Sequence, residues 1–243
     1  MNIGTTFQYS RRTALGSIMA GLCTAAASAQ GEPIRILLVT GGHTHALSFY
    51  ELFQGRSDYK VTVNPHPQAF RPGMIKQYDV LVLYDLADVE DEKERAYLRE
   101  FLESAKGLLV LHHAIADNQD WPWWYQEVVG GRYLLKPDGS QPASVFKDNV
   151  DFDVRPATQH PVLEGIGPFH IRDEAYNQMW ISPNIRVLLE TDNPANGKPL
   201  AWVGPYTKSR VVYIQLGHGT EAHRSPVYQK LVHNAIAWVA AKK

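Results

Sequence analysis

Six of the ten histidines in this 243-residue chain come directly after apolar runs, at points where buried strands would end. They are His43 and His45 after the first run, His112 and His113 after a central run, and His218 and His223 after a late one. Because the carboxyl ends of parallel strands meet at one edge of a sheet, we expect these imidazoles to lie close together. Imidazole transfers protons near neutral pH and binds metal ions, so the pattern predicts a histidine-rich site. A single histidine at a strand end is usually structural, and the hypothesis therefore depends on the clustering.

The candidate catalytic residues are His113, Glu174 and His218. We expect His113 to act as a general base, with His43 and His218 as partners for a developing oxyanion. Asp173 and Glu174 are adjacent in an extended segment, where successive side chains point to opposite sides, so only one of them faces a given pocket. We favour Glu174 as the acid/base group. The alternative is a solvated acidic pair that caps a turn.

The same histidines could bind a divalent metal ion, and zinc is the natural candidate for imidazole ligands. The expected ligand set is His43, His45, His113 and His218. A site of three histidines, or of histidines with Asp173 or Glu174, would also be chemically reasonable. No His-Glu-x-x-His spacing occurs, so the sequence leaves both metal-dependent and metal-free chemistry open.

Residues 120–125 are the densest aromatic stretch, with three tryptophans and a tyrosine. Trp and Tyr rings stack on the apolar faces of sugars, so Trp121 and Trp124 are candidate platforms, although aromatics at helical spacing also pack in cores. The candidate substrate-binding residues are His43, His112, Asp173, Trp121, Trp124 and His223.

The elements that would position these residues follow from the apolar pattern. Continuous apolar runs predict parallel strands at 34–40, 78–84 and 107–111, an alternating run predicts a strand at 59–63, and helices are expected at 47–54 and 89–105. This alternation predicts a doubly wound α/β sheet with right-handed crossovers. Later segments predict a helix at 121–129, an edge strand or hairpin at 144–154, strands at 185–190, 200–203 and 210–216, and a closing helix at 226–241 capped by Ser225.

The first 29 residues read as a cleaved export signal, with Arg11 and Arg12 ahead of an apolar run and a small-x-small site ending at Ala29. The paired arginines favour the twin-arginine route, with ordinary Sec export or a cytosolic N-terminus as alternatives. We therefore expect a periplasmic or secreted protein. The only cysteine, Cys23, lies within the signal, so the remaining 214 residues have no thiol for disulfides or catalysis.

Removing Arg11 and Arg12 leaves 22 basic against 25 acidic residues, a net charge of −3 with no basic cluster. We therefore expect neither a nucleic-acid partner nor membrane association after cleavage. No phosphate-binding glycine loop and no G-x-S-x-G motif occurs, which disfavours nucleotide binding and serine esterase chemistry.

Five stretches resemble the trehalose-utilisation (ThuA-like) family, within the class I glutamine amidotransferase-like fold. They read LLVTGGHTH, GLLVLHHAIADNQDWPWWYQEVVGGRY, ATQHPVLEGI, IRDEAYN and PLAWVGPYTKSRVVYIQLGHGTEAHRSPVYQKLVHNAIAWV. The resemblance implies a flavodoxin-like, mostly parallel sheet with helices on both faces over residues 30–243. In amidotransferase relatives the turn after the fourth strand carries a nucleophilic cysteine, whereas here that turn holds His112 and His113. Glutamine hydrolysis by a thiolate is thus not expected.

The resemblance also implies use of trehalose and related disaccharides, including 3-keto sugars, and His43, His113, Asp173, Glu174 and His218 match recurring family positions. We expect an exported enzyme that hydrolyses, eliminates or isomerises a disaccharide or 3-keto-glycoside. A 3-keto group acidifies the neighbouring C–H, so a histidine or Glu174 could start β-elimination. The alternatives are a non-catalytic carbohydrate-binding protein and a metal-dependent hydrolase of a non-sugar substrate.

Overall fold

A mixed nine-stranded sheet organises the chain in the computed structural model, which describes residues 31–66 and 69–241. The predicted export signal lies outside the described residues. The first half contains β1 (Ile34–Gly41), β2 (Tyr59–Val63), α1 (Met74–Gln77), β3 (Val80–Asp85), α2 (Glu92–Glu103), β4 (Gly107–Leu111) and β5 (Gly131–Arg132). The second half contains β6 (Val145–Pro156), β7 (Phe169–Asn177), β8 (Trp180–Ile181), β9 (Arg186–Glu190), β10 (Pro199–Val203), β11 (Val211–Ile214), α3 (Thr220–Arg224) and α4 (Pro226–Ala240).

The strand order is β2-β1-β3-β4-β11-β10-β9-β6-β7, and the first five strands are parallel. The remaining strands pair antiparallel, and β5 and β8 form a separate short ribbon. The large, mostly parallel sheet with flanking helices is the predicted flavodoxin-like α/β architecture. The paired strands expected around residues 200–216 are the antiparallel pair β10 and β11.

The central strands are buried on both faces, which explains their unbroken apolar runs. Alternate residues of β4 enter two separate cores: Leu109 and Leu111 pack beneath α4, and Leu108 and Val110 pack toward α2. The helix expected at 89–105 begins at Glu92 and ends at Glu103, and the closing helix has the predicted Ser225 cap. Asp91 accepts a hydrogen bond from the backbone N–H of Lys93 at the start of α2, and Ser225 caps α4.

Two predicted helices take other forms. Residues Leu47–Phe53 form a 3-10 helix, and Trp123–Val129 form a π-helical turn that ends at Gly130. None of the helices within 31–66 and 69–241 is long and apolar enough to cross a membrane.

The segment at 144–154, expected as an edge strand or hairpin, becomes most of the long strand β6. β6 pairs along its length with β7 but joins β9 only at Arg155 and Pro156. The rest of this two-stranded ribbon, β6–β7, is therefore free of the sheet. It reaches the carboxyl ends of the parallel strands, where Glu174 of β7 contacts His112 at the tip of β4.

Candidate active site

A cavity of about 360 Å³ opens at the carboxyl ends of the parallel strands. The ring centroids of His43 and His113 lie 4.8 Å apart, and those of His112 and His218 lie 5.1 Å apart. Four of the six histidines expected to converge from distant loops therefore do so. The cavity is lined by His43, Leu86, His113, Ala116, Tyr133, Leu135, Phe146, Asp148, Glu174, Tyr176 and His218.

His112 occupies the sharp turn directly after β4 and has a left-handed backbone, with φ of +49°. Such a conformation costs about 1–3 kcal/mol for a residue other than glycine and persists only where its surroundings hold it. Here the Tyr213 hydroxyl donates to the His112 carbonyl at 3.2 Å, and the His112 Nδ1 lies 2.6 Å from the Gln215 carbonyl. The strained turn fixes a fully buried imidazole at the strand tip.

His112, Glu174 and His218 form a close cluster at the cavity wall. The Nε2 atom of His112 lies 3.1 Å from Oε2 of Glu174 and 3.0 Å from Nδ1 of His218. The distance between Nδ1 of His218 and Oε2 of Glu174 is 3.4 Å. Burial alone would raise the pKa of Glu174, but the His112 hydrogen bond and the charges of His112 and His218 outweigh it and lower the pKa to about 2. Glu174 is thus a carboxylate at any physiological pH.

Asp173 faces away from the cavity and holds the loop that carries His218. Its Oδ2 accepts from the backbone N–H of Gly217 at 2.6 Å, and its Oδ1 accepts from those of His218 and Glu174 at 3.0 and 2.9 Å. This geometry agrees with the expectation that only one of the two adjacent carboxylates faces the pocket. It corrects the expectation that Asp173 contacts the substrate, because Asp173 accepts three hydrogen bonds from backbone N–H groups.

Asp148 was not singled out from the sequence, and a β-bulge brings it to the site. The pairing of β6 with β7 slips between Lys147 and Val150, and Asn149 takes a φ of +55°. Asp148 consequently lies with Oδ1 4.0 Å from Nε2 of His218, and a hydrogen bond with Glu174, followed by burial, raises its pKa. The one sequence signal is the Asp148-Asn149 pair, which interrupts an otherwise alternating strand.

His113 lines the cavity, and one of its ring nitrogens has no hydrogen-bond partner among the described residues. Its ring bonds to the backbone of Tyr84, while its buried Nε2 has no hydrogen-bond partner among the described residues. Burial, then the neighbouring His112 and His43, lower the pKa of His113 to about 2. The ring is therefore neutral, and its free Nε2 can accept a hydrogen bond. Because its pKa is low, it becomes an effective base only when negative charge develops beside it and raises that pKa.

His223 and His45 lie behind the cavity wall. His223 is fully buried, with Nδ1 2.9 Å from the Ser48 hydroxyl and Nε2 2.9 Å from the Gly217 carbonyl, and burial lowers its pKa to about 4. It supports the turn before His218, which corrects its expected role in substrate binding. His45 instead has Nε2 3.1 Å from the Tyr50 hydroxyl.

The expected metal-ligand set also needs correction. Within 31–66 and 69–241, His112, Glu174 and His218 are the one group of three or more His, Asp and Glu side chains whose ligand atoms converge, all within 4.8 Å. His43, His45 and His113 do not belong to it. The sequence suggested imidazoles at this edge but could not tell which nitrogens would face one another.

The tryptophans do not line the cavity. Trp124 is 1% exposed in the core beneath the sheet, and Trp121 packs under Arg95, whose guanidinium carbon lies 5.0 Å from a Trp121 ring centroid. Both tryptophans therefore have structural surroundings in place of the expected sugar platform. The aromatic wall of the cavity comes from Tyr133, Phe146 and Tyr176, which sequence reasoning did not single out.

Comparisons with solved structures agree with the architecture. A protein from Parabacteroides merdae described as ThuA-like superposes with a TM-score of 0.74 at 19% identity, covering 86% of this chain and 91% of that one. A cytoplasmic protein from Salmonella typhimurium gives a TM-score of 0.60 at 16% identity over 86% of this chain and 100% of its own. A protein from Thermoplasma acidophilum described as a GMP synthase subunit gives 0.54 at 11% identity, covering 86% and 96%.

At these identities the structural likeness shows the fold, which is the class I glutamine amidotransferase-like fold. No curated protein matches the sequence significantly. The family profile described as "Trehalose utilisation", ThuA, matches residues 35–239. The chain therefore belongs to the ThuA family, which supports a sugar-related role.

Proposed function

We propose that the chain is an enzyme that acts on a disaccharide or 3-keto-glycoside in the cavity beside Glu174. The observation that carries the proposal is the meeting of a neutral histidine, a carboxylate–imidazole cluster and an aromatic wall in one cavity. Aromatic rings suit the apolar faces of sugars, and the proton-transferring groups supply the chemistry. The sugar-related role of the family supports the same substrate class.

For a 3-keto-glycoside the favoured reaction is β-elimination. His113 lines the cavity with an unpartnered Nε2 and acts as the base that removes the proton at C2, which the adjacent ketone acidifies. Electrons from that C–H bond form the C1=C2 double bond and the C1–O bond breaks. The departing alkoxide takes up the proton that His113 removed, which releases the alcohol and leaves His113 neutral again. His218, held against Glu174, stabilises the negative charge that develops on the ketone oxygen.

The experiment is turnover of a 3-keto-disaccharide by the wild type, His113→Ala and the surface control His170→Ala. General-base loss reduces kcat by about 10²–10⁴-fold. We expect that loss in His113→Ala alone, because the His170 side chain is 60% exposed and pairs with the exposed carboxylates of Asp151 and Asp153, away from the cavity. Equal rates for all three proteins would exclude His113 as the base.

Isothermal titration distinguishes this enzyme from a carbohydrate-binding protein. Tight binding of a disaccharide or its 3-keto form, with no product after prolonged incubation at saturating protein, would replace the catalytic proposal with a binding one.

We also propose that the protein acts after export, which rests on Arg11, Arg12 and the apolar run that ends at Ala29. The intact mass of the protein recovered from the cell envelope tests this. Loss of the first 29 residues is the expected result, and a full-length cytosolic product would contradict it.

A further inference from the structure

Three electron-pair donors face one another at the cavity wall. A carbonyl oxygen only accepts hydrogen bonds, so the 2.6 Å contact between Nδ1 of His112 and the Gln215 carbonyl puts the ring proton on Nδ1. With the proton on Nδ1, the lone pair of Nε2 of His112 faces Oε2 of Glu174 and Nδ1 of His218. When His218 carries its own proton on Nε2, its Nδ1 presents a second lone pair, and a cation among the three atoms would satisfy all of them.

The spacing of these atoms suits a metal ion. With metal–ligand bonds of about 2.1 Å, neighbouring ligands are separated by about 3.0 Å in octahedral and about 3.4 Å in tetrahedral geometry. The three separations here are 3.0, 3.1 and 3.4 Å. Two imidazoles and one carboxylate are also a ligand set that zinc and iron enzymes use with positions left open.

The surroundings hold each ligand in place. The Gln215 carbonyl orients His112, and Asp173 fixes the backbone of His218 through its N–H. The Tyr176 hydroxyl bonds to Glu174, and it also lies 2.9 Å from Nε2 of His112, a contact that an ion bound to Nε2 would replace. Hydrogen bonds of this kind, from ligands to carbonyls and carboxylates, are typical of protein metal sites.

One side of the cluster is accessible. The His218 side chain is 41% exposed, whereas those of His112 and Glu174 are at most 8% exposed. Asp148, which is exposed on the bulge of β6, lies beyond His218. An ion held here would thus have open positions toward the cavity for water or a substrate oxygen.

We infer that His112, Glu174 and His218 form a binding site for one divalent transition-metal ion, with zinc as the first candidate. The site follows from the donor geometry, and only its catalytic use rests on the proposed function. There the ion would polarise the ketone oxygen of the substrate beside His113.

The test uses the full chain without a polyhistidine tag, stripped by a chelator and titrated with Zn²⁺, and with Co²⁺ for its visible ligand-field bands. The variants are His218→Ala and Glu174→Gln, and the matched control is His43→Ala, another exposed histidine of the same cavity. Circular dichroism and thermal melting of the metal-free proteins confirm that each variant folds.

We expect one equivalent of metal in the wild type and in His43→Ala. Affinity falls at least about 100-fold in the two ligand variants, since loss of supporting residues alone typically costs 10–100-fold. Absence of saturable binding would overturn the inference, because hydrogen bonds among these side chains would then satisfy their polar atoms. An equal loss in His43→Ala would also overturn it.

Metal binding and sugar turnover are measured separately, so the two proposals fail independently. Binding with this variant pattern but without conversion of a 3-keto-disaccharide supports the metal site and rejects the reaction. Conversion by stripped protein at the wild-type rate rejects the catalytic use of the ion.

Discussion

Nε2 of His112 lies 3.1 Å from Oε2 of Glu174, although β4 and β7 are separated by four strands in the sheet order. The contact exists because the β6–β7 ribbon leaves the sheet and crosses its carboxyl edge. The candidate site therefore combines a rigid part, on the strained turn after β4, with a part supplied by the ribbon.

Asp173→Asn tests the support of the His218 loop. The amide keeps one acceptor oxygen but turns its NH₂ group toward a backbone N–H, so at least one bond to Gly217, His218 or Glu174 is lost. We expect the free energy of unfolding to fall by about 1–3 kcal/mol. Chemical denaturation measures it, and Asp153→Asn, at a carboxylate that is 92% exposed, is the control that should remain near wild type.

Phe146→Ala tests the aromatic wall. Phe146 is 59% exposed and lines the cavity. Removing its ring should therefore change the free energy of unfolding little, while the exposed ring is available to stack on a sugar. We expect KM to rise about tenfold, equivalent to about 1.4 kcal/mol, with kcat and stability nearly unchanged. Val145→Ala is the matched control, since adjacent strand residues point to opposite faces. An unchanged KM in Phe146→Ala would remove the ring from the binding site.

Trp124→Ala and Trp121→Ala test the structural reading of the tryptophans. Trp124 is fully enclosed, so its removal should cost about 3–5 kcal/mol of stability. Trp121 lies outside the cavity, and Trp121→Ala should leave sugar affinity at the wild-type value when measured by calorimetry. A clear loss of affinity in Trp121→Ala would restore it as a sugar platform.

A pair of buried carboxyl groups predicts a pH dependence of stability. Asp85 and Asp117 are 1% and 2% exposed and hydrogen-bonded to each other, and Asp117 accepts from the Ala87 N–H. Burial raises the pKa of both, and the charge of Asp85 raises that of Asp117 further. In the folded protein Asp117 therefore keeps its proton at pH values above 3.8, the ordinary pKa at which the same carboxyl group loses its proton in the unfolded chain.

The free energy of unfolding should consequently fall as pH rises from about 4 toward the raised pKa, by at most about 1.4 kcal/mol per pH unit for one proton. Asp117→Asn keeps the donor and acceptor without the titration, so it should remove this slope and be at least as stable as wild type at pH 7. Denaturation at several pH values measures both, with the exposed Asp120→Asn as the control. A slope that survives in Asp117→Asn would assign it to another group.

His66 adds a second decrease in the free energy of unfolding as pH rises. Burial alone would lower its pKa, but its hydrogen bond and ion pair with Asp85 outweigh burial and raise the pKa above 6.5. The pair stabilises the fold fully below the unfolded pKa of histidine, and that contribution is lost as pH rises through the raised value. His66→Gln should reduce stability at pH 6 more than at pH 8, and an equal loss at both would contradict the pairing.

The parallel half of the sheet could be predicted because its strands are buried on both faces and carry unbroken apolar runs. The rule that loops meet at the carboxyl edge then placed His43, His113 and His218 together from sequence alone. Strand alternation predicted that only one of Asp173 and Glu174 would face the pocket, but it did not identify which one, and the partners of Glu174 could not be named.

The other features of the site depended on contacts between residues far apart in the sequence, which periodicity does not predict. Periodicity predicts a strand at 144–154 but does not indicate that it will leave the sheet, so Phe146 carried no visible signal and Asp148 only the break in alternation at Asp148-Asn149. Tryptophans at helical spacing are consistent with a core as well as a platform, and only the tertiary packing shows that Trp124 is in the core and that Trp121 lies against Arg95. Which imidazole nitrogens face Glu174 depended on the left-handed backbone of His112.

Within 31–66 and 69–241, strand pairing joins the ribbon to the main sheet at only two residue pairs, Arg155 with Glu190 and Pro156 with Leu189. Substitutions, insertions or altered bulges in its outer part would reshape one side of the cavity while the parallel core and its histidine turns stay as they are. A protein built this way can acquire new substrates by changing one appendage, without re-evolving the scaffold that supplies its reactive groups.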